Sequence, residues 1–242
     1  MALLDPACVR GAALDALAVL APTACSGCGL DDRALCGSCV AALQPAVTMV
    51  TVDSGRPLPV HCGLRYEGVV RRVLLAVKES GRTDATPALA AAARAAVTGA
   101  LRTCRRLAAP ADGADAGTSA STVAGGSIRL ATIPSTRAAF RARGYHPTEL
   151  ILAQAGLRAS HPLRTTRQTR DQAALGVDAR SANRQGSLQA RHTLTGRMYI
   201  LVDDILTTGA TLCEARRAIE AAGGVVLAAA VVANTERRHG TR

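Results

Sequence analysis

The stretch LVDDILTTGATL, residues 201–212, decides the fold of this chain. The apolar run MYILV that leads into it, residues 198–202, is typical of a buried strand, and helix-forming sequence begins at Ala210. Strands alternate with helices through the second half of the chain, which predicts an α/β fold with a parallel sheet. Ligands of such sheets bind at the carboxyl ends of the strands, so the acids and threonines of this stretch are expected at a binding site.

The residue types in this stretch predict a site for a 5-phosphorylated ribose. A helix N-terminus offers unpaired N–H groups and a positive dipole end, and TTGAT lets the backbone wrap closely around a phosphate. Ionised carboxylates only accept hydrogen bonds, so the two acids suit the hydroxyls of a sugar. The catalytic pair is predicted to be Asp203 and Asp204. The predicted ribose-phosphate-binding residues are Thr207, Thr208, Gly209, Ala210 and Thr211.

Two other interpretations of the stretch are weaker. Acids after a strand could cap the following turn, and the threonines could simply start the helix, although the joint pattern favours a ligand. A nucleoside triphosphatase needs a glycine followed by a lysine in its phosphate loop. Lys78 is the one lysine of the chain and follows Val77, which excludes that class.

Composition sets the class of protein and its general partners. With 242 residues, 48% of them hydrophobic, the chain can bury a core in one domain plus a small appendage. A net charge of +11 attracts phosphate-bearing partners, while 2% aromatic residues leave few platforms for stacking bases. The chain has no uncharged apolar stretch of transmembrane length and no basic segment at its start, so we expect a cytoplasmic protein without membrane insertion.

A cysteine-rich segment, CSGCGLDDRALCGSC at residues 25–39, predicts a structural zinc site. Each C-x-x-C pair can place two thiolates on one tetrahedral metal through a tight turn. Disulfides and a redox dithiol are the alternatives, but a reducing cytosol disfavours persistent bridges, and a redox motif needs no second pair. The predicted ligands are Cys25, Cys28, Cys36 and Cys39.

Hydrophobic periodicity and low-complexity stretches divide the rest of the chain into segments. Residues 1–50 are predicted to hold an N-terminal helix and the cysteine module, and residues 51–242 a second domain. Within that domain we expect a strand at 60–66 and an amphipathic helix in EGVVRRVLLAVKE. The polar, low-complexity residues 110–127 are predicted to be a disordered insertion.

These motifs together resemble those of known families. LVDDILTTGATL resembles the phosphoribosyl pyrophosphate motif of type I phosphoribosyltransferases. The four-cysteine module, GVVRRVLLAVK, IPSTRAAFRARGY, RTTRQTRDQAAL, RSANRQGSL and the final motif resemble, in that order, the ComF family of amidophosphoribosyltransferase-like proteins. The similarity covers nearly the whole chain outside residues 110–127. It implies a parallel-sheet type I phosphoribosyltransferase fold with a small N-terminal zinc-binding module.

The resemblance also implies an activity and further site residues. It implies binding of phosphoribosyl pyrophosphate with Mg²⁺, and a role in DNA uptake during natural transformation. The loop after SIRLATIP would hold pyrophosphate, the segment from Arg164 to Gln172 would be a mobile loop over the site, and Lys78 would act in substrate handling. The residues so implied are Ser135, Thr136, Arg137, Arg143, Arg164, Arg167 and Lys78.

One corner departs from the family pattern, because Tyr145, His146 and Pro147 stand where Phe, Asn and Gln are usual. Two functions remain open from the sequence. The first is a transferase in which a nitrogen nucleophile displaces pyrophosphate from C1 of the ribose; nothing in the sequence identifies this acceptor. The second is a non-catalytic accessory factor that binds single-stranded DNA or DNA-uptake proteins.

Overall fold

The computed structural model describes residues 23–31, 33–53, 55–108, 127–166 and 186–235. Three of the sequence predictions lie outside these residues. They are the N-terminal helix, the insertion up to residue 126, and the position of Arg167.

The described residues form helices, strands and one short 3₁₀ turn at Thr83–Ala85. The helices are α1 (Gly37–Ala41), α2 (Gly68–Glu79), α3 (Thr86–Ala108), α4 (Arg137–Arg143), α5 (Pro147–Gln154) and α6 (Ala210–Glu220). The strands are β1 (Thr48–Val52), β2 (Leu58–Arg65), β3 (Ile128–Thr132), β4 (Ala159–Ser160), β5 (Leu163–Thr165), β6 (Leu188–Ala190), β7 (Met198–Leu206) and β8 (Val225–Asn234).

A six-stranded sheet in the order β1-β2-β8-β7-β3-β4 forms the centre of the protein. Strand β1 runs antiparallel to β2, and every other pair in this sheet is parallel. The predicted α/β fold with a parallel sheet is therefore confirmed. A separate antiparallel pair, β5 and β6, lies outside this sheet.

Helices cover both faces of the sheet, which explains the long apolar runs in its central strands β7 and β8. Because successive strand residues point to opposite faces, Tyr199 and Leu201 of β7 pack in a cluster with residues of α6. Ile200 and Val202 pack on the other face, in a cluster with residues of α3. The same face receives α2, whose apolar side is buried as its sequence pattern predicted.

Strand β7 is longer than the sequence indicated. The predicted strand ended at Val202, but β7 continues through Leu206, so the two acids lie within the strand. Pairing with β8 extends it, since Asp203 lies opposite Val231 in the register. Asp has low intrinsic β propensity, and here the neighbouring strand overrides that preference.

Strand β1 crosses the predicted domain boundary at residue 50. It is hydrogen-bonded to β2 from Thr48 to Val52 and is thus an edge strand of the main sheet. The division into two domains stays a prediction.

Candidate active site

A cleft of about 740 Å³ opens beyond the carboxyl ends of β7 and β3. Its walls come from the last turn of α2, the loop into α4, the start of α6 and the β5–β6 pair. This is the edge at which parallel sheets bind ligands. The predicted site residues on its wall are Lys78, Ser135, Thr136, Arg143, Asp203, Asp204, Thr207 and Thr211.

The two acids of β7 have different surroundings because they point to opposite faces of the sheet. Asp204 falls on the side of α2, where Lys78 Nζ lies 3.0 Å from its Oδ2 and 3.2 Å from its Oδ1. The Asp203 carboxylate accepts a hydrogen bond of 2.9 Å from the backbone N–H of the next residue, Asp204. One acid is therefore paired with a cation, and the other is held by the backbone.

Desolvation governs the charge of Asp203. Burial and, next in importance, the negative charge of Asp204 together raise the pKa of Asp203 to about 7, against the opposing effects of the Asp204 N–H and the Lys78 ammonium. A carboxyl group with this pKa exchanges its proton near neutral pH. Its capacity to accept two hydrogen bonds as an anion then depends on the solution pH.

The turn after β7 is shaped by close packing against β1. Gly209 has φ +82°, and a Cβ at this position would lie 2.6 Å from Cγ1 of Val52. Glycine is required both for the left-handed conformation and for the contact. The hydroxyl of Thr208 accepts a hydrogen bond of 3.3 Å from the N–H of Ala210, which starts α6. The turn thus presents the N-terminus of an eleven-residue helix to the cleft.

On the facing wall, the loop after β3 leads into α4. Thr136 caps this helix, since its hydroxyl accepts a hydrogen bond of 3.2 Å from Ala139 N. At the other end of α4, Arg143 donates to Ser135 Oγ at 3.5 Å and to the carbonyl of Lys78 at 3.4 Å. Arg143 therefore joins this loop to the end of α2.

The corner formed by Tyr145, His146 and Pro147 joins the same two elements. The Tyr145 hydroxyl donates a hydrogen bond to the carbonyl of Val77 in the last turn of α2. His146 Nδ1 lies 3.3 Å from Ser135 Oγ. Pro147 is the first residue of α5, where its missing N–H is tolerated. The corner thus fixes the end of α2, and with it Lys78, against the loop that holds Ser135.

Other predicted residues lie elsewhere. The turn itself is formed by Thr208, Gly209 and Ala210. These three residues do not line the cleft, whereas Thr207 and Thr211 do. Arg164 lies on β5 and lines a neighbouring cavity. Arg137 is the first residue of α4.

Several cleft residues were not predicted from the sequence. Glu214 lies one turn after Thr211 on α6, so helical spacing could have indicated it. It is buried, and it accepts hydrogen bonds from Leu188 N at 3.0 Å and from Arg217 at 2.7 and 2.8 Å. Burial acts to raise the pKa of Glu214, but the Arg217 and Leu188 hydrogen bonds outweigh it and lower the pKa. The other additions include Tyr66 and Ser187, whereas Thr165 and Thr166 belong to the segment 164–172 that the resemblance implied as a loop over the site.

A second centre is built from the four predicted cysteines. The sulfur atoms of Cys25, Cys28, Cys36 and Cys39 all lie within 4.8 Å of one another. Gly27 makes this closeness possible, because a Cβ there would lie 2.5 Å from Cys39 Sγ. Hydrogen bonds, the strongest from the Ser38 hydroxyl, lower the pKa of Cys36 to about 6 and favour its thiolate, the form that binds metals, whereas burial raises the pKa of Cys39 to about 12. Four thiols in this arrangement could hold one tetrahedral metal ion.

The cysteine cluster is docked on α2. Val69, in the first turn of α2, packs against the buried cysteines. Arg72, one turn later, donates a hydrogen bond from Nε to the carbonyl of Gly27. Arg82, just beyond the helix, donates to the carbonyl of Ala24 at 2.9 Å. The helix that presents Lys78 to the cleft is thus packed against the cluster.

Comparison with known families agrees with this geometry. Residues 122–242 match the family model of the phosphoribosyl transferase domain. The chain belongs to this family. The matched half includes β3, β7 and α6, which carry the loop at Ser135, the acid pair and the threonine turn of this phosphoribosyl transferase domain. No curated protein matches the chain. Among the helices of the described residues, none is both long and apolar enough to cross a membrane.

Proposed function

We propose that this protein is a phosphoribosyltransferase of the ComF type, which binds phosphoribosyl pyrophosphate in the cleft and transfers the phosphoribosyl group to a nitrogen acceptor. The observation that carries the proposal is the meeting of the acid pair with the threonine turn at one helix N-terminus. This combination provides acceptors for sugar hydroxyls beside donors for a phosphate. The family match supports the same activity.

Each wall of the cleft takes a distinct part of the substrate in this proposal. The 5-phosphate binds at the start of α6, where Thr207 and Thr211 add hydroxyls to the backbone N–H groups. The ribose hydroxyls bind the carboxylates of Asp203 and Asp204. The pyrophosphate lies along the loop from Ser135 to Thr136, with the Arg143 guanidinium beside it.

The cleft fits a magnesium ion that enters with its substrate. Mg²⁺ is commonly bound through one or two protein carboxylates plus substrate phosphates. Asp203 and Asp204 are the carboxylates that would hold it, since both line the cleft. Bound there, the ion would neutralise charge on the pyrophosphate.

The proposed reaction is a substitution at C1 of the ribose. The C1–O bond to pyrophosphate breaks with its electron pair, a C1–N bond forms to the acceptor, and the acceptor nitrogen loses a proton. Positioning and charge stabilisation carry this step, so no nucleophile of the protein is needed. In this proposal the Arg143 guanidinium and the Ser135 hydroxyl, which contact each other, would stabilise charge on the leaving pyrophosphate. The chemical identity of the acceptor is left open.

The four-cysteine cluster is proposed to hold a structural zinc ion. All four ligand positions can be filled by thiolates, and structural zinc sites are closed in this way. The zinc would fix the chain segment that packs on the first half of α2.

The cellular role is proposed to be the handling of incoming DNA in the cytoplasm during natural transformation. The sequence resemblance to the ComF family and the net charge of +11 support this role. Single-stranded DNA and DNA-uptake proteins are the proposed partners.

Calorimetry tests the transferase proposal. Phosphoribosyl pyrophosphate with Mg²⁺ should bind and should stabilise the fold by about 2.7 kcal/mol at about a hundred times its dissociation constant. Ribose 5-phosphate should bind more weakly. The double variant Asp203→Asn, Asp204→Asn should lose roughly 1.5 to 3 kcal/mol of binding for each charge-assisted bond. Glu67→Gln, which removes an exposed acid outside the cleft wall, is the matched control.

The same measurements separate the two functions that the sequence left open. If well-folded protein does not bind phosphoribosyl pyrophosphate, or if the double variant binds it as tightly as the parent, the transferase proposal fails. The non-catalytic accessory factor then takes its place.

A further inference from the structure

A second cavity, of about 890 Å³, adjoins the cleft on the side of β4. The two spaces share a wall formed by Pro134, Ser135, Thr165 and Thr166. The predicted ligands of phosphoribosyl pyrophosphate other than Ser135 and Arg164 do not line this second cavity among the described residues. The polar lining of this cavity therefore differs from that of the cleft.

An aromatic pair stands on the wall of this cavity. Phe140 is the one phenylalanine of the chain, and 41% of its surface is exposed. Its ring is stacked on the imidazole of His146, with centroids 4.7 Å apart and planes inclined by 24°. Both residues line the cavity. A pair of stacked rings with an exposed side is a surface on which a further planar group can stack.

Three arginines line the same cavity, namely Arg141, Arg164 and Arg191. All three are exposed. Among the described residues, the acidic residue on the wall is Glu149, whose Oε1 already lies 3.2 Å from Nδ1 of His161. Positive charge consequently dominates the polar part of the wall.

Two of these guanidinium groups are held in place by the β5–β6 pair. Arg191 donates from Nε to the carbonyl of Leu163 at 3.0 Å. Arg164 donates from Nη2 to Oε1 of Gln189 at 3.0 Å. Guanidinium groups fixed by one hydrogen bond lose less freedom when they bind an anion, and their planar forks suit phosphate.

We propose that this cavity binds a nucleotide, whose base stacks on the Phe140–His146 pair and whose phosphate is bound by the arginines. A planar ring joined to a phosphate matches both the aromatic pair and the arginines of the wall. Stacking of bases on aromatic rings and hydrogen bonds from arginine to phosphate are the usual contacts of nucleotides. The nucleotide can be a free nucleoside phosphate or one unit of a single strand. The Tyr145-His146-Pro147 corner then supplies a stacking residue, His146, to this pocket.

The probes for this proposal are adenosine 3′-monophosphate and an oligothymidylate with a free 5′-hydroxyl. Both carry bases and phosphates but lack the 5-phosphate that the turn at α6 would take, so their binding does not depend on the transferase proposal. Binding of each probe to the full chain is measured by calorimetry over a range of salt concentrations. Tighter binding of the oligothymidylate identifies a strand as the source of the nucleotide, and equal or tighter binding of the monophosphate identifies a free nucleotide.

Two variants locate the binding. Phe140→Leu keeps an apolar side chain but removes the ring, and should weaken binding about tenfold. Arg141→Gln removes one positive charge at an exposed position. The plot of the logarithm of the strand-binding constant against the logarithm of salt concentration should then become less steep, by about 0.7 in slope. Arg102→Gln, an exposed arginine on α3 outside the cavity, is the matched control and should bind like the parent.

The result that overturns the proposal is equally specific. The proposal of a nucleotide site fails if neither probe binds the parent protein. It also fails if Phe140→Leu and Arg141→Gln both bind the probes as tightly as the Arg102→Gln control does. If Phe140→Leu does not fold, Arg141→Gln decides alone, because that side chain is exposed and makes no described hydrogen bond that holds the fold.

Discussion

The ammonium nitrogen of Lys78 lies 3.0 Å from a carboxylate oxygen of Asp204, although the two residues are 126 positions apart in the chain. The contact joins the end of α2 to the central strand β7. It places a compact cation beside the acids that are proposed to bind the ribose. Lys78 thereby becomes a residue of the cleft, although it comes from outside the half of the chain that the family model covers.

Replacing this lysine by arginine tests whether the ammonium is needed. Lys78→Arg keeps the charge and should keep the fold, but the wide planar guanidinium cannot occupy the place of a point charge. We expect affinity for phosphoribosyl pyrophosphate to fall roughly tenfold, as for the loss of one charge-assisted hydrogen bond. Arg71→Lys, at an exposed position of the same helix, is the control for calorimetry. Equal affinity in parent and Lys78→Arg would show that the ammonium group is not needed for substrate binding.

The raised pKa of Asp203, about 7, predicts that sugar binding depends on pH. Only the ionised carboxylate gives strong acceptors, so affinity for ribose 5-phosphate should fall as the pH drops through about 7 and should level off above it. Asp203→Asn cannot titrate and should lack this part of the dependence. Titration of the ligand phosphate is common to both proteins, so the difference between their profiles is the quantity to measure. Identical profiles would contradict the prediction.

The cysteine cluster predicts about one zinc ion per chain in the purified protein, since four thiolates fill one tetrahedral site. Cys36→Ser should lower the metal content and the midpoint of thermal unfolding, because a structural zinc contributes its binding energy to folding. Cys213→Ser, which changes a cysteine outside the cluster, should retain the metal. Metal analysis checks both proteins, and a parent without zinc would refute the assignment.

Glu214 predicts a pH-dependent contribution to stability. Its pKa is lowered in the folded protein by Arg217 and the Leu188 N–H despite burial, so the ionised form stabilises the fold above the unfolded pKa. Glu214→Gln should cost about 1 to 3 kcal/mol in the free energy of unfolding at neutral pH. The difference from the parent should shrink as the pH falls through the lowered pKa. A constant difference across the acid range in denaturant titrations would show that charge is not the cause.

Local patterns explain why much of the fold could be predicted. The apolar spacing of α2 and the continuous apolar run of β7 are each contained in one short segment, so their secondary structure is visible in the sequence. The four cysteines were found for the same reason, because their spacing alone describes a metal-binding geometry.

Contacts between distant segments could not be predicted in this way. The hydrogen bond from Tyr145 to Val77 joins residues 68 positions apart and depends on how α2 packs. Strands β5 and β6 have three residues each, too few to show a period, and they carry Arg164 to the second cavity. The exposure of Phe140 depends in the same way on how α4 packs, and nothing in its local sequence indicates it.

The position of β8 between β2 and β7 has a consequence for how this chain can be divided. Residues 122–242, which the family model covers, contain β7 and β8 but not β2, which pairs with β8 from Val60 to Arg65. An excised fragment of that half would expose the long apolar edge of β8 to other chains, as unpaired edges do in aggregating proteins. It would also lack the lysine that faces Asp204. Residues 122–242 thus depend on the preceding half of the chain in two ways. That half covers the edge of β8, and it supplies Lys78 to the cleft.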